Sequence, residues 1–225
     1  MVLVCEHASN YIPDGYRGLG LGASDLARHI AWDIGAAEVT RRLSLLLDAP
    51  AFLATHSRLL IDLNRPLDAA TLIVTRSEAT DIPGNIGIDA AERATRIARL
   101  FTPFHDAVSG CLDDRQAAGK PVRLVSIHSF TPVFHGVQRE WHAGVLFDRA
   151  QSLGEAMVAQ LQAPGLRVGA NVPYKSGRTD DYAVPVHGDD RGIPAILLEI
   201  RQDLIADSAG AAAWAGRIAA ALTAV

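Results

Sequence analysis

The chain has 225 residues, a net charge of −4, 49% apolar residues and 20% charged ones. That length accommodates one domain with a sizeable core, and the composition is globular. No basic run exceeds two residues and no apolar stretch approaches the ~20 residues that span a bilayer, which argues against a nucleic-acid binder and a membrane protein.

Cys5 and Cys111 are too few for a disulfide framework, and the chain opens on a strand rather than a secretion signal. A reducing cytoplasm is therefore the expected compartment.

In chain order, Met1-Val2-Leu3-Val4-Cys5 is a short apolar strand that hands off to Glu6-His7-Ala8-Ser9-Asn10. After a glycine-rich loop, Ser24 stands as an N-cap. The spacing of Leu26, Ile30, Ile34, Ala37, Val39, Leu43 and Leu46 predicts a helix over 25–47. A strand follows at 51–55, then a short extended piece at 59–62 that ends in Leu63-Asn64-Arg65-Pro66, and a loop at Pro83-Gly84-Asn85. A long helix fits 89–118, with Ile97, Leu100, Phe104, Val108 and Leu112 as its buried stripe.

The run Val-Arg-Leu-Val-Ser-Ile-His over 122–128 is a buried strand that delivers an imidazole at its carboxyl end. Further elements are a strand at 143–147, a helix at 152–162, a strand at 167–170 and a polar loop from Tyr174 to His187. Pro194-Ala195-Ile196-Leu197-Leu198 then ends in Glu199-Ile200-Arg201, and an alanine-rich helix at 208–224 closes the chain. Strands alternate with helices, so the expected class is α/β with a mainly parallel sheet, in a single domain over 1–225.

Open α/β sheets bind ligands at the carboxyl ends of their strands. Here three strands end in His7, His128 and Glu199, the parts of a zinc hydrolase. A third metal ligand is needed. Asp33 is the first candidate, because an unpaired carboxylate in an apolar stretch is costly, and His29, one helical turn earlier, is its rival. Glu199 suits a general base, with an ion pair to Arg201 as its alternative role. Arg58 and Arg65 have the fork that grips a carboxylate, although Asp62 and Arg65 also suit a structural pair. Asn171 and Lys175 follow a strand and are candidates for the substrate wall.

With these residues placed, the chain resembles the N-formylglutamate amidohydrolase family. The resemblance rests on Cys5-Glu6-His7-Ala8-Ser9-Asn10, Trp32-Asp33-Ile34-Gly35-Ala36 and, most specific, Ser57-Arg58-Leu59-Leu60-Ile61-Asp62-Leu63-Asn64-Arg65-Pro66. Ser126-Ile127-His128-Ser129-Phe130, Asn171-Val172-Pro173-Tyr174-Lys175 and Leu198-Glu199-Ile200-Arg201-Gln202 complete it, in the family's order.

The resemblance implies a three-layer α/β/α sandwich of the phosphorylase/hydrolase type, shared with zinc carboxypeptidases and cell-wall amidases. It implies Zn2+ on His7, Asp33 and His128 (with His29 still open for the middle place), Glu199 as the catalytic group, and substrate contacts from Asn10, Arg58, Arg65, Asn171, Lys175 and Arg201. The loop Ser176-Gly177-Arg178-Thr179-Asp180-Asp181 replaces the Gly-Gly-Tyr-type segment expected of formylglutamate enzymes, and the region after Pro66 is shorter.

The expected activity is metal-dependent hydrolysis of a small N-acyl amino acid, with no nucleic-acid or membrane partner. The alternatives are a peptidase or cell-wall amidase on the same fold, or a non-catalytic domain that binds an acidic metabolite.

Overall fold

Val2–Cys5 (β1) is buried along its whole length, as a continuous apolar run in the middle of a parallel sheet should be. In the computed structural model, which describes residues 1–163 and 165–225, β1 is flanked by Ala51–Leu53 (β2) and Leu124–Phe130 (β3). Beyond β3 lie Ala195–Arg201 (β6), Ala143–Leu146 (β4) and Val168–Ala170 (β5), giving the order β2-β1-β3-β6-β4-β5. β1, β2, β3 and β6 are mutually parallel, whereas β4 runs antiparallel to β6 and parallel to β5.

The chain leaves β1 for β2 on one side and later returns to β3 on the other. This reversal opens a crevice above the carboxyl ends of β1 and β3.

Strand alternation sorts the core into two layers. Leu3, Cys5, Val125, Ile127, Ile196 and Leu198 meet Ala36–Leu47 (α1), Gln151–Leu161 (α4) and Ser208–Ala224 (α5) on one face. Val2, Val4, Leu124, Ala195 and Leu197 meet Val108 and Leu112 of Thr102–Ala117 (α3), with Val184, on the other. The fold is thus an α/β/α sandwich with a mixed, mainly parallel central sheet. Among the described residues, no helix is long and apolar enough to cross a membrane.

The predicted long helix begins as Ala90–Arg96 (α2), capped by the Asp89 side chain on the Glu92 amide. It continues through a π-helical turn at Ile97–Phe101 into α3.

Two expectations give way. The periodicity over 25–47 does not form one helix: a single turn at Ala23–Leu26 is separated from α1 by irregular chain. Gly35 requires the break. Its φ is +83°, and a Cβ there would lie 2.2 Å from the Ile205 carbonyl oxygen. The expected extended piece at 59–62 is instead a turn through 58–60 followed by irregular chain, because Leu59 and Leu60 pack with Leu19, Ala31 and Ile82 in a separate cluster outside the sheet.

Candidate active site

Alternation along three neighbouring strands assembles the chemistry. Ser126 and His128 follow Leu124 on one face of β3, while Leu197 and Glu199 follow Ala195 on the same face of β6. The register pairs Glu199 with His128, so carboxyl and imidazole sit side by side at the carboxyl edge. Glu6 continues the Val2–Val4 face of β1 and reaches Ser126 Oγ at 2.8 Å. His7, one residue on, brings its ring edge-on to that of His128, with centroids 4.7 Å apart.

His7, Asp33 and His128 converge, each offering one ligand atom within 4.8 Å of the others, and all three are buried. Asp33 Oδ2 lies 2.8 Å from His128 Nδ1 and 3.4 Å from His7 Nδ1. It also accepts the Ser129 amide at 3.1 Å, while the Asp33 amide donates to the His7 carbonyl at 2.9 Å.

The far nitrogen of each ring meets a buried carboxylate. His7 Nε2 is 2.6 Å from Asp62 Oδ1, and His128 Nε2 is 3.1 Å from Glu6 Oε2. An ionised carboxylate can only accept, so each ring donates from Nε2 and turns Nδ1 toward the other ring and Asp33. Metal-ligating imidazoles are oriented by such carboxylates. The three residues therefore fit a metal ion, with two imidazole nitrogens and one carboxylate oxygen as donors.

Charges in this cluster hold one another in place. Burial opposes ionisation of Asp33, but the His7 charge and the bonds from both rings keep its carboxyl well below the usual range. Burial also works against His128, yet its bonds to Asp33 and Glu6 raise the imidazole well above its ordinary value. Glu199 behaves differently: burial, opposed by the His128 charge and reinforced by Asp33, pushes it up to about 8. Its Oε2 is buried without a hydrogen-bond partner among the described residues.

The Ser57-to-Pro66 stretch is a brace for this cluster. Ser57 Oγ donates to the Ala31 carbonyl at 2.7 Å and so ties the loop beside Asp33. Arg58 clasps Asp62 through Nη2 at 2.6 Å and Nε at 3.1 Å, and reaches Asp33 Oδ1 at 3.4 Å. Asn64 donates to Asp181 at 3.1 Å and accepts the Tyr182 and Ala183 amides at 3.0 Å. Arg96, wholly buried, hydrogen-bonds the Leu60 carbonyl at 2.9 Å and Asn85 at 2.7 Å.

A cavity of about 460 Å3 opens above the cluster; Arg58, Arg65, Lys175, Tyr174, Asp181 and Glu199 are among the residues that line it. Three expected contacts fall elsewhere. Arg201 forks onto Asp203 at 2.8 and 3.2 Å, outside the cavity lining, because the 3-10 turn after β6 carries that acid next to it. Asn10 donates to the Leu26 carbonyl, and Asn171, at φ +52°, accepts the Phe147 amide; neither is among the residues that line the cavity.

His29 does line the cavity, but it faces Glu78 at 3.3 Å and stands outside the metal-facing trio. With no helix through residues 27–35, the one-turn relation between His29 and Asp33 does not exist.

Glu6, the pairing of Asp62 with His7, and Asp181 went unrecognised in the sequence. For Glu6 a signal existed: it continues the Val2–Val4 face toward His128.

A family model described as N-formylglutamate amidohydrolase matches residues 1–206. The crystal structure of a gene product from Agrobacterium tumefaciens is similar at a TM-score of 0.94 and 43% identity, over 99% of this chain and 90% of that one. A crystal structure described as N-formylglutamate amidohydrolase from Ralstonia eutropha shares the fold at a TM-score of 0.71 and 20% identity, over 97% and 90%. No curated protein matches the chain. From the match over residues 1–206, the chain belongs to the N-formylglutamate amidohydrolase family and is a hydrolase of amide bonds.

Proposed function

We propose that this protein is a zinc-dependent amidohydrolase that cleaves the amide of a small N-acyl amino acid, of the N-formyl type. The observation that carries the reading is the convergence of His7, Asp33 and His128 beside a buried glutamate, at the floor of a cavity sized for a small molecule. Two imidazoles and one carboxylate are a donor set of catalytic zinc, with a further position left for water or substrate. When bound, zinc supplies Lewis acidity to water and to the scissile carbonyl.

The remaining work falls to the chain's own groups. Glu199, made more basic by burial, takes a proton from the attacking water and returns it to the departing nitrogen as the C–N bond breaks. Arg58 keeps Asp62 ionised and in place behind His7. Arg65 and Lys175 line the cavity among several carboxylates, and Arg65 lies 3.9 Å from Asp181.

The test combines metal analysis of protein purified without added metal with amine release from a panel of N-formyl and N-acetyl amino acids. Stoichiometric zinc and turnover of at least one N-acyl amino acid, abolished by a chelator and restored by zinc, are expected. Turnover that survives complete metal removal would overturn the reading.

A further inference from the structure

Arg139 has no part in the chemistry above, and its surroundings are unusual. It ends the hairpin Val133–Phe134/Val137–Gln138, where its amide donates to the Pro132 carbonyl at 2.8 Å. Its guanidinium carbon lies 4.5 Å from the centre of the Phe134 ring, 4.8 Å from that of Tyr174 and 5.6 Å from that of Phe130. Phe134 and Tyr174 line the same cavity as His128 and Glu199, and Phe130 lies two residues beyond His128 on the same face of β3. The Tyr174 phenol is raised by burial and by the Glu199 charge, with Arg139 acting the opposite way, which places all three groups within electrostatic reach.

The three rings pack around the guanidinium, and the Tyr174 hydroxyl is within hydrogen-bonding reach of it. Nη1 is buried without a hydrogen-bond partner among the described residues. Such a donor costs free energy until an acceptor arrives. The other arginines nearby already have partners: Arg58 pairs with Asp62 and Asp33, Arg201 with Asp203, and Arg65 lies 3.9 Å from Asp181. A carboxylate that enters from the cavity side, past Phe134 and Tyr174, supplies the acceptor that this nitrogen lacks.

We propose that Arg139 is the specificity-determining residue that grips the free carboxylate of the N-acyl amino acid, selecting acids over their neutral amides. The proposal rests on the amidohydrolase reading, and its test separates the two. Wild type, Arg139→Lys and Arg139→Gln, all zinc-loaded and checked for metal content and melting temperature, are assayed on an N-formyl amino acid and on its carboxamide.

Wild type prefers the acid. Arg139→Gln loses about 30- to 100-fold in kcat/KM on the acid, mostly through KM, while the carboxamide rate stays within about threefold. Arg139→Lys falls between, and carries the test should Arg139→Gln fail to fold. A purely structural pin would lower both rates together, and that result overturns the proposal.

Binding of glutarate, followed by calorimetry, supplies the arm that needs no turnover. A loss of at least about tenfold in affinity in Arg139→Gln is expected. If no N-acyl amino acid is turned over but glutarate binding still depends on Arg139, the clamp stands and the assigned reaction fails. Equal glutarate affinity in wild type and Arg139→Gln, or an unchanged acid-to-amide ratio in both variants, overturns the clamp.

Discussion

Because Glu199 is buried, with the Asp33 charge near and no partner for its Oε2 among the described residues, its neutral form is favoured against the pull of His128, and the carboxyl is pushed up to about 8. In the proposed role of base Glu199 works only when ionised, so kcat/KM is expected to rise with pH through its titration. A bound dication lowers that midpoint, which places the acid limb of the zinc-loaded enzyme below pH 8. In Glu199→Gln the limb disappears and kcat drops by ~10²–10⁴-fold while zinc content is unchanged; a pH–rate profile with metal analysis checks both. The carboxylates behind the imidazoles have a separate signature. Glu6→Gln and Asp62→Asn each weaken zinc affinity by about 10- to 100-fold, measured by competition with a chromophoric chelator, because each ring exchanges a charged acceptor for a neutral amide that orients it less firmly. His7, His128 and Glu199 were legible from apolar runs that end in a polar side chain. Glu6 was not read, although the same alternation turns it toward His128.

Between the first turn at Ala23–Leu26 and α1, apolar spacing misled for a definable reason. Ile30 and Ala31 are buried, as the helical reading requires, but Ala31 belongs to the small cluster with Leu19, Leu59, Leu60 and Ile82. Burial was legible; the partner was not. The break that Gly35 imposes puts Asp33 in a turn, where the His7 carbonyl, the Ser129 amide and two imidazoles can all reach it. Gly35→Ala forces a Cβ against the Ile205 carbonyl at a positive φ, and is expected to cost about 2–4 kcal/mol in denaturant unfolding. Zinc affinity falls with it, since Asp33 is two residues away. The Ser57-to-Pro66 segment makes the complementary point. Its density of polar residues marked it as special, yet nothing local indicated that Asp62 serves His7 and that Asn64 ties down Tyr182 and Ala183.

Beneath the site, on the side of Leu63 and the π-helical turn at Ala183–Gly188, His105 Nδ1 lies 2.9 Å from His187 Nε2, and His105 Nε2 lies 2.9 Å from the Leu63 carbonyl. Burial lowers His105 to about 3 and His187 to about 4, each further depressed by neighbouring positive charge. The unfolded chain binds protons on these groups near pH 6.5, whereas the folded one does not. Their contribution to stability is therefore complete above that pH and lost as pH falls toward 4. In His187→Asn the decline over this window is shallower than in wild type, by up to ~1.4 kcal/mol per pH unit for each proton removed, as read from denaturant curves between pH 4 and 7. A variant with the wild-type slope would show that the pair does not govern acid unfolding.

The class of fold and the strand-end groups were readable from the chain because a strand's burial and the residue at its end are local properties: alternation, β-branched runs and turn residues within a few positions. The contacts that complete the site span 26 residues from His7 to Asp33, 55 from His7 to Asp62 and 122 from Glu6 to His128. Periodicity reports that a face is covered, never by which segment. The choice of Asp33 over His29 beside the two imidazoles, the tying of Arg201 to Asp203 and the ring cage around Arg139 therefore follow from how the loops fold back over the sheet's carboxyl edge.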